Sequence, residues 1–229
     1  MSLGASVGPR IAVLDYGMGN LRSVEKALAR VGADPVVTRD HATVRAADGV
    51  ILPGVGAFPK AMANLRELEL DALIAERLSS ATPTLGICLG MQLLFEASSE
   101  NEGAWGLGLL QGRVDRLPAP GLKVPHIGWN EVHQARAHGL WSGIAEGTRF
   151  YFVHSYFAQP ADPDIVAGYS LYPFSFTCAV AQANIFAVQF HPEKSQTAGL
   201  RLLANFAEWD PQREKATTAS SGRLGAAAA

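Results

Sequence analysis

Two hydrophobic rhythms alternate along the first part of the chain. Ile11-Ala12-Val13-Leu14-Asp15-Tyr16 is an almost unbroken apolar run, which predicts a strand buried on both faces. Leu21, Val24, Leu28 and Val31 then recur at helical spacing. The alternation continues with a short strand over Pro35–Thr38, an Ala-rich helix over Ala42–Ala47 and a strand over Gly49–Leu52. Helical segments over Lys60–Leu68 and Leu70–Leu78 lead to another apolar strand that ends at Cys88. Strands separated by helices imply an α/β fold, with a parallel sheet, right-handed crossovers and helices on both faces. After Glu100 the rhythm changes. Leu109–Leu117, Glu131–Gln134, Thr148–Gln159, Ile165–Leu171 and Phe176–Ala181 read as strands with no long helix between them, so a largely antiparallel β layer is expected on the sheet. Ile185–Phe190 is again a buried strand, and a last helix runs from about Ser195, its N-cap, to Trp209, where Asp210-Pro211 stops it.

The polar punctuation places chemistry at one edge of that sheet. Gly17-Met18-Gly19, Gly54-Val55-Gly56 and Cys88 each follow a strand, and open parallel sheets bind ligands at their carboxyl edge. Gly17-x-Gly19 lacks the rest of a dinucleotide loop, because Arg22 stands where a third glycine belongs. Gly86-Ile87-Cys88-Leu89-Gly90 has the form of a nucleophile elbow with a thiol, its glycines allowing a sharp turn into a helix that runs on through Glu96. A cysteine at a helix start is biased toward thiolate, and the Leu89 amide beside it is a natural oxyanion donor. A buried structural cysteine has the same local pattern, so the second half of the chain must arbitrate.

It supplies His191-Pro192-Glu193 directly after a buried strand. Pro192 biases His191 toward extended geometry, in which residues two apart point the same way, so Glu193 can reach the imidazole. A thiol, a base and an acid that orients the base are the parts of covalent acyl transfer. The other cysteine, Cys178, lies in a strand-like run and reads as a packed core thiol.

With 229 residues, 48% hydrophobic and 17% charged, the chain can bury a full core in one domain. Residues 10–210 are expected to form it, with 1–9 a flexible N-terminus and 211–229, rich in Ala, Ser, Thr and Gly, a disordered tail. A net charge of -2 leaves no basic field for nucleic acid or an anionic membrane, so a small polar substrate fits better. No run has signal-peptide or bilayer-spanning length, and two cysteines suit a reducing compartment, which together point to the cytoplasm. No metal or cofactor is called for.

The Gly-x-Cys-x-Gly elbow with a late His-Pro-Glu resembles the class I, or triad, glutamine amidotransferases. The order Cys88, His191, Glu193 sets the chain apart from α/β-hydrolases, whose acid precedes the histidine, and from papain-like proteases, whose cysteine lies near the mature amino terminus. The likeness covers nearly everything from Arg10 to Trp209. Within the family, Pro53-Gly54-Val55-Gly56 and Pro125-His126-Ile127-Gly128-Trp129-Asn130 look most like the glutaminase subunits that serve a cyclase of histidine biosynthesis. The resemblance implies a three-layer fold with a mostly parallel central sheet, glutamine as substrate, and ammonia handed to a (βα)8-barrel cyclase subunit in a heterodimer. It also implies roles: Cys88 as nucleophile, His191 as acid and base, and Glu193 as its orienting partner. Gly54, Val55, Gly56 and Leu89 become glutamine contacts and oxyanion donors, Gln92 and Glu96 readers of the amino-acid end, and His154, Ser155 and Tyr156 the pocket wall. His126, Trp129, Tyr151 and Lys194 would face the partner. Glutaminase subunits of pyridoxal phosphate, GMP or anthranilate synthesis share the triad and remain open, as do a stand-alone cysteine hydrolase and a catalytically silent binding subunit.

Overall fold

The computed structural model describes residues 8–100, 104–118, 121 and 123–213. Its first half follows the hydrophobic pattern: β1 (Arg10–Leu14), α1 (Leu21–Arg30), β2 (Asp34–Thr38), α2 (His41–Arg45), β3 (Gly49–Gly54), α3 (Phe58–Glu67), α4 (Leu70–Ser79) and β4 (Thr84–Cys88). The elbow helix α5 is a single turn (Leu89–Leu93), followed by β5 (Phe95–Ser98), β6 (Ala104–Trp105) and β7 (Leu110–Arg116). Then come β8 (His126–Gln134), β9 (Thr148–His154), β10 (Tyr156–Pro160), β11 (Val166–Leu171), β12 (Ser175–Gln182), β13 (Ile185–Val188) and α6 (Gln196–Ala207).

The strands pair in the order β2-β1-β3-β4-β13-β12-β10-β7-β5-β6, and a branch β11-β8-β9 leaves at β12. Pairing is parallel from β2 to β13 and antiparallel from β13 through β12 and β10 to β7. Alternate residues of β1 serve opposite cores. Ile11 and Val13 join the cluster containing Val24 and Leu28 of α1 and Leu202, Leu203 and Phe206 of α6. Ala12 and Leu14 join Val44 of α2, Leu65 of α3 and Leu73 of α4. The register that matters for chemistry is at the carboxyl edge, where Gly54 pairs with Cys88 and Val188 pairs with Ile87. The glycine turn, the cysteine and the residues after β13 therefore leave the sheet at one level.

Several boundaries differ from the expectation. The elbow helix stops after one turn because Leu93, Leu94 and Phe95 are all fully buried, and loop amides take the carbonyls at its end: Leu107 N donates to Leu93 O at 2.8 Å and Leu109 N to Leu94 O at 2.9 Å. Phe95 then starts β5, parallel to β7. The long strand expected over 148–159 breaks at Ser155, and β8 begins at His126 rather than Glu131. Ser195 does occupy the N-cap position of α6, yet its side chain makes no capping bond. Its Oγ donates to His191 O at 2.6 Å and accepts from Tyr151 N at 3.0 Å. At the ends, Pro9 O accepts from Asp34 N and Pro211 is buried, so the packed unit runs slightly past 10–210. The flexible terminus and disordered tail expected from sequence fall largely on residues 1–7 and 214–229, which lie outside the described ones.

Candidate active site

Cys88 closes β4 with φ 55° and ψ −109°, a left-handed-side conformation that a residue with a Cβ adopts only when its surroundings impose it. The strain sits on the cysteine itself. The flanking glycines act instead through close packing: a Cβ on Gly90 would lie 1.8 Å from Leu52 O, and one on Gly86 would lie 3.0 Å from the Ala187 Cβ. A single-turn helix has little macrodipole, so the useful donors are the unbonded amides of its first residues, Leu89 foremost.

Beside the elbow, the end of β3 carries Gly54, Val55 and Gly56. Tyr16 Oη donates to Pro53 O at 2.6 Å, which anchors the turn. Burial and the neighbouring Cys88 push the Tyr16 phenol up, so it stays protonated as that donor. A Cβ on Gly54 would fall 2.5 Å from Tyr16 Oη and 2.9 Å from the Leu89 Cβ.

From the other side, His191 is held by its backbone, with N donating to Tyr151 O at 2.9 Å. Its Nδ1 meets Glu193 Oε1 at 2.8 Å, both side chains being 2% exposed. The contact forms in a 3₁₀ turn over Pro192–Lys194, not in the extended segment expected from sequence. Nδ1 bonded to a carboxylate leaves Nε2 as the working nitrogen, and Nε2 has no hydrogen-bond partner. Burial would lower the His191 pKa, but the charge of the neighbouring Cys88, with the hydrogen bond and charge of Glu193, outweighs it and raises the pKa to about 10.

Cys88 opens onto a cavity of about 380 Å³ lined by Val55, Gly56, Cys88, Leu89, Gln92, His154, Ser155 and Tyr156, all expected from sequence, together with Glu100, Pro125 and Val153, whereas Gly54, His191 and Glu193 are not among the lining residues. That volume suits a small ligand. Glu96 is a correction. It lies on β5 and is exposed, accepting from Gly112 N at 2.8 Å, because strand alternation turns it away from buried Phe95. Glu100 lines the cavity instead and accepts from Phe58 N at 2.7 Å. Sequence reasoning missed it because the helix was extended through Glu96.

His126 is a second correction. It is 4% exposed, stacked between Phe152 and Tyr172 at centroid distances of 5.1 and 4.1 Å, and so offers nothing to a partner. Its Nδ1 lies 2.9 Å from His154 Nε2, while His154 Nδ1 lies 2.9 Å from Tyr156 O. Burial lowers the pKa of His126 to about 4 and that of His154 to about 3, leaving both neutral at pH 7. Trp129 is 45% exposed, next to Ile127 at 60%. It meets the Tyr151 ring at 6.2 Å, and Lys194 Nζ lies 5.9 Å from that ring. Cys178 is fully buried, which pushes its thiol well up. Among the described residues no helix is long and apolar enough to cross a membrane, and no cluster of three or more His, Cys, Asp or Glu side chains is placed to hold a metal ion.

Residues 12–209 match the glutamine amidotransferase class-I family. The chain is 54% identical over 211 residues to the imidazole glycerol phosphate synthase subunit HisH of Nitrosospira multiformis, an alignment covering 88% of this chain and 98% of that one. It is 54% identical over 222 residues to the same-named subunit of Thiobacillus denitrificans, covering 93% and 96%. In fold it is similar to a crystal structure of a glutamine amidotransferase, with TM-score 0.68 at 19% identity, covering 87% of this chain and 99% of that one.

Proposed function

This chain belongs to the glutamine amidotransferase class-I family, and we propose that it is the glutaminase subunit of an imidazole glycerol phosphate synthase, hydrolysing glutamine and passing ammonia to a cyclase. The observation that carries the reading is Cys88 on the wall of a cavity of amino-acid size, close enough to the buried His191–Glu193 pair for its charge to raise the imidazole pKa, in a chain 54% identical to two subunits of that name.

The residues divide the chemistry. The Cys88 thiolate attacks the side-chain carbonyl of glutamine, and the Leu89 amide with those of the 54–56 turn receives the oxyanion. His191, charged at neutral pH, protonates the departing nitrogen, so the C–N bond breaks and ammonia leaves a glutamyl thioester. Neutral His191 then takes a proton from water as its oxygen adds to the thioester, and glutamate leaves as the C–S bond breaks and the thiolate returns. Gln92 donates both amide hydrogens within the protein, to Tyr156 O and Gln189 Oε1, each at 3.0 Å. Only its carbonyl is free, and that atom accepts from a substrate N–H. Glu100 supplies a carboxylate for the substrate's α-ammonium group.

The partner is a (βα)8-barrel cyclase in a heterodimer, docked on the face that presents Ile127, Trp129, Tyr151 and Lys194, where exposed aromatics suit an interface. The domain is residues 10–210 with the short extensions described above, and the complex works in the cytoplasm without a metal or cofactor. Glutamate release is measured for the chain alone, with empty cyclase and with nucleotide-loaded cyclase, alongside cyclase turnover on ammonium salt. Cys88→Ala should abolish glutamine-dependent synthesis and leave ammonium-dependent synthesis intact. Activation by a pyridoxal phosphate or GMP synthase partner, and none by the cyclase, would overturn the assignment.

A further inference from the structure

The sheet register brings one more side chain to the nucleophile. Val188 pairs with Ile87, so the next residues, Gln189 and Cys88, lie side by side, and Gln189 Nε2 is 3.6 Å from Cys88 Sγ. Gln189 is fully buried. Which end of its amide faces sulfur is fixed by a chain of hydrogen bonds with one consistent direction. It begins at Tyr156 O, a main-chain carbonyl that can only accept. Gln92 must turn its nitrogen to that oxygen, and the same nitrogen donates to Gln189 Oε1. Gln189 is left with its N–H₂ group toward Cys88. His154 Nδ1–H also donates to Tyr156 O, so its Nε2 accepts from His126 Nδ1–H, and His126 Nε2 in turn faces Asn130 Nδ2 at 3.4 Å. Every member of the array has its role set by the one carbonyl.

We propose that Gln189 is a catalytic residue of this amidotransferase: its carboxamide N–H is the dedicated hydrogen-bond donor to the nucleophile sulfur, oriented by Gln92 and Tyr156 O. A donor at that position favours thiolate before attack and stabilises the thiolate expelled when the thioester is hydrolysed, so it acts at both ends of the cycle. The protonated sulfur has a different neighbour, Val153 O at 3.8 Å. The sulfur thus sits between an acceptor suited to the thiol and a donor suited to the thiolate. The other titratable groups around it are His191, backed by Glu193, Tyr16 just past the end of β1, the His154–His126 pair on β9 and β8, and Glu100 in the lining of the same cavity. Tyr16 and the two paired histidines are neutral at working pH, which leaves His191 as the remaining charged donor.

The proposal rests on Cys88 being the nucleophile, and its test does not depend on glutamine. Iodoacetamide alkylation of the full chain is followed across pH; Cys178 is fully buried and silent, so the rate reports Cys88. Gln189→Met, which keeps the length and loses the donor, should move the alkylation profile to higher pH by about one unit, a tenfold loss of thiolate at a given pH. Gln189→Glu, which replaces the donor by an anion, should move it further. In the complex with cyclase, both variants should lower kcat for glutamine more than they raise KM, with ammonium-dependent synthesis unchanged. In the unsubstituted protein, the Gln189 side-chain amide resonances should titrate with the alkylation profile. A Met variant with unshifted melting temperature and an unshifted alkylation profile overturns the proposal, whatever its turnover. An amide resonance that ignores alkylation of Cys88 overturns it without any Gln189 variant. Normal alkylation behaviour without glutamate release would instead count against the functional reading.

Discussion

Replacing Glu193 by Gln separates the charge of the triad's acid from its shape. A Gln carbonyl can keep accepting from His191 Nδ1, so the tautomer survives, but an N–H₂ group then takes the place of Oε2, a buried atom with no partner. The anion that helps hold the His191 pKa near 10 is gone. A hydrogen bond to a charged group contributes about 1.5–3 kcal/mol against about 0.5–1.5 for a neutral one, so the loss is about 1–2 kcal/mol. Expressed in the transition state, that is roughly a 5- to 30-fold fall in rate. His191→Ala removes the acid and base altogether, a route worth about 10²–10⁴. The sign of the pH effect follows from the raised pKa. His191 delivers its proton only while charged, so the alkaline limb of kcat/KM lies near the pKa of the free enzyme, and Glu193→Gln moves that limb to lower pH. The same raised pKa stabilises the fold fully below the ordinary imidazole range and loses that contribution as pH rises toward 10. Glutamate release with nucleotide-loaded cyclase, measured across neutral to alkaline pH for both variants, is the assay. Equal and total loss in both at unchanged melting temperature, or an alkaline limb that does not move in Glu193→Gln, would refute these roles.

Two further outcomes test the cavity. The Val55 amide borders the cavity between two glycines, one of them, Gly56, at φ 105°, so rotation of that peptide can present or withdraw an oxyanion donor worth about 100-fold in rate. Val55→Pro, which has no N–H, should blunt the rise in glutamate release on adding loaded cyclase, and an undiminished rise would exclude the turn as a switch. Glu100→Gln should raise KM for glutamine by about tenfold, with a smaller change in kcat, because it removes a charge that meets the substrate's ammonium in ground and transition states alike. An unchanged KM would show that Glu100 serves only the start of α3.

The parallel half of the sheet was legible because its inner strands β1, β3, β4 and β13 are almost wholly buried and helices α1 to α4 only on one face, the condition under which hydrophobic period and structure coincide. Cys88, His191 and Glu193 were legible as types in order, since few other arrangements use them so. The elbow helix was not, because Leu93, Leu94 and Phe95 are buried on all sides and a run with no exposed position carries no period. That single silence moved the expected carboxylate to Glu96, whereas Glu100 is the one that lines the cavity. The resemblance implied a partner-facing His126, and the strand was expected only from Glu131; with β8 drawn from His126, period 2 sends Ile127 and Trp129 out and His126 in. Ser195 shows a different limit. A serine before a helix has the same sequence signature whether its hydroxyl caps the helix or ties two segments together, and only the position of Tyr151 decides.

That tie has a mechanical meaning. Through Tyr151, both backbone groups of one residue of β9 are committed to the loop that carries His191: its N–H to Ser195 Oγ and its C=O to His191 N. Two residues on, the same strand offers Val153 O to the Cys88 thiol, and His154 follows in the cavity wall. His191, Cys88 and the cavity wall are therefore tied to a single rail, whose neighbour β8 carries the exposed Trp129 opposite Tyr151. A shift of that rail would act on all three together, along one run of backbone contacts.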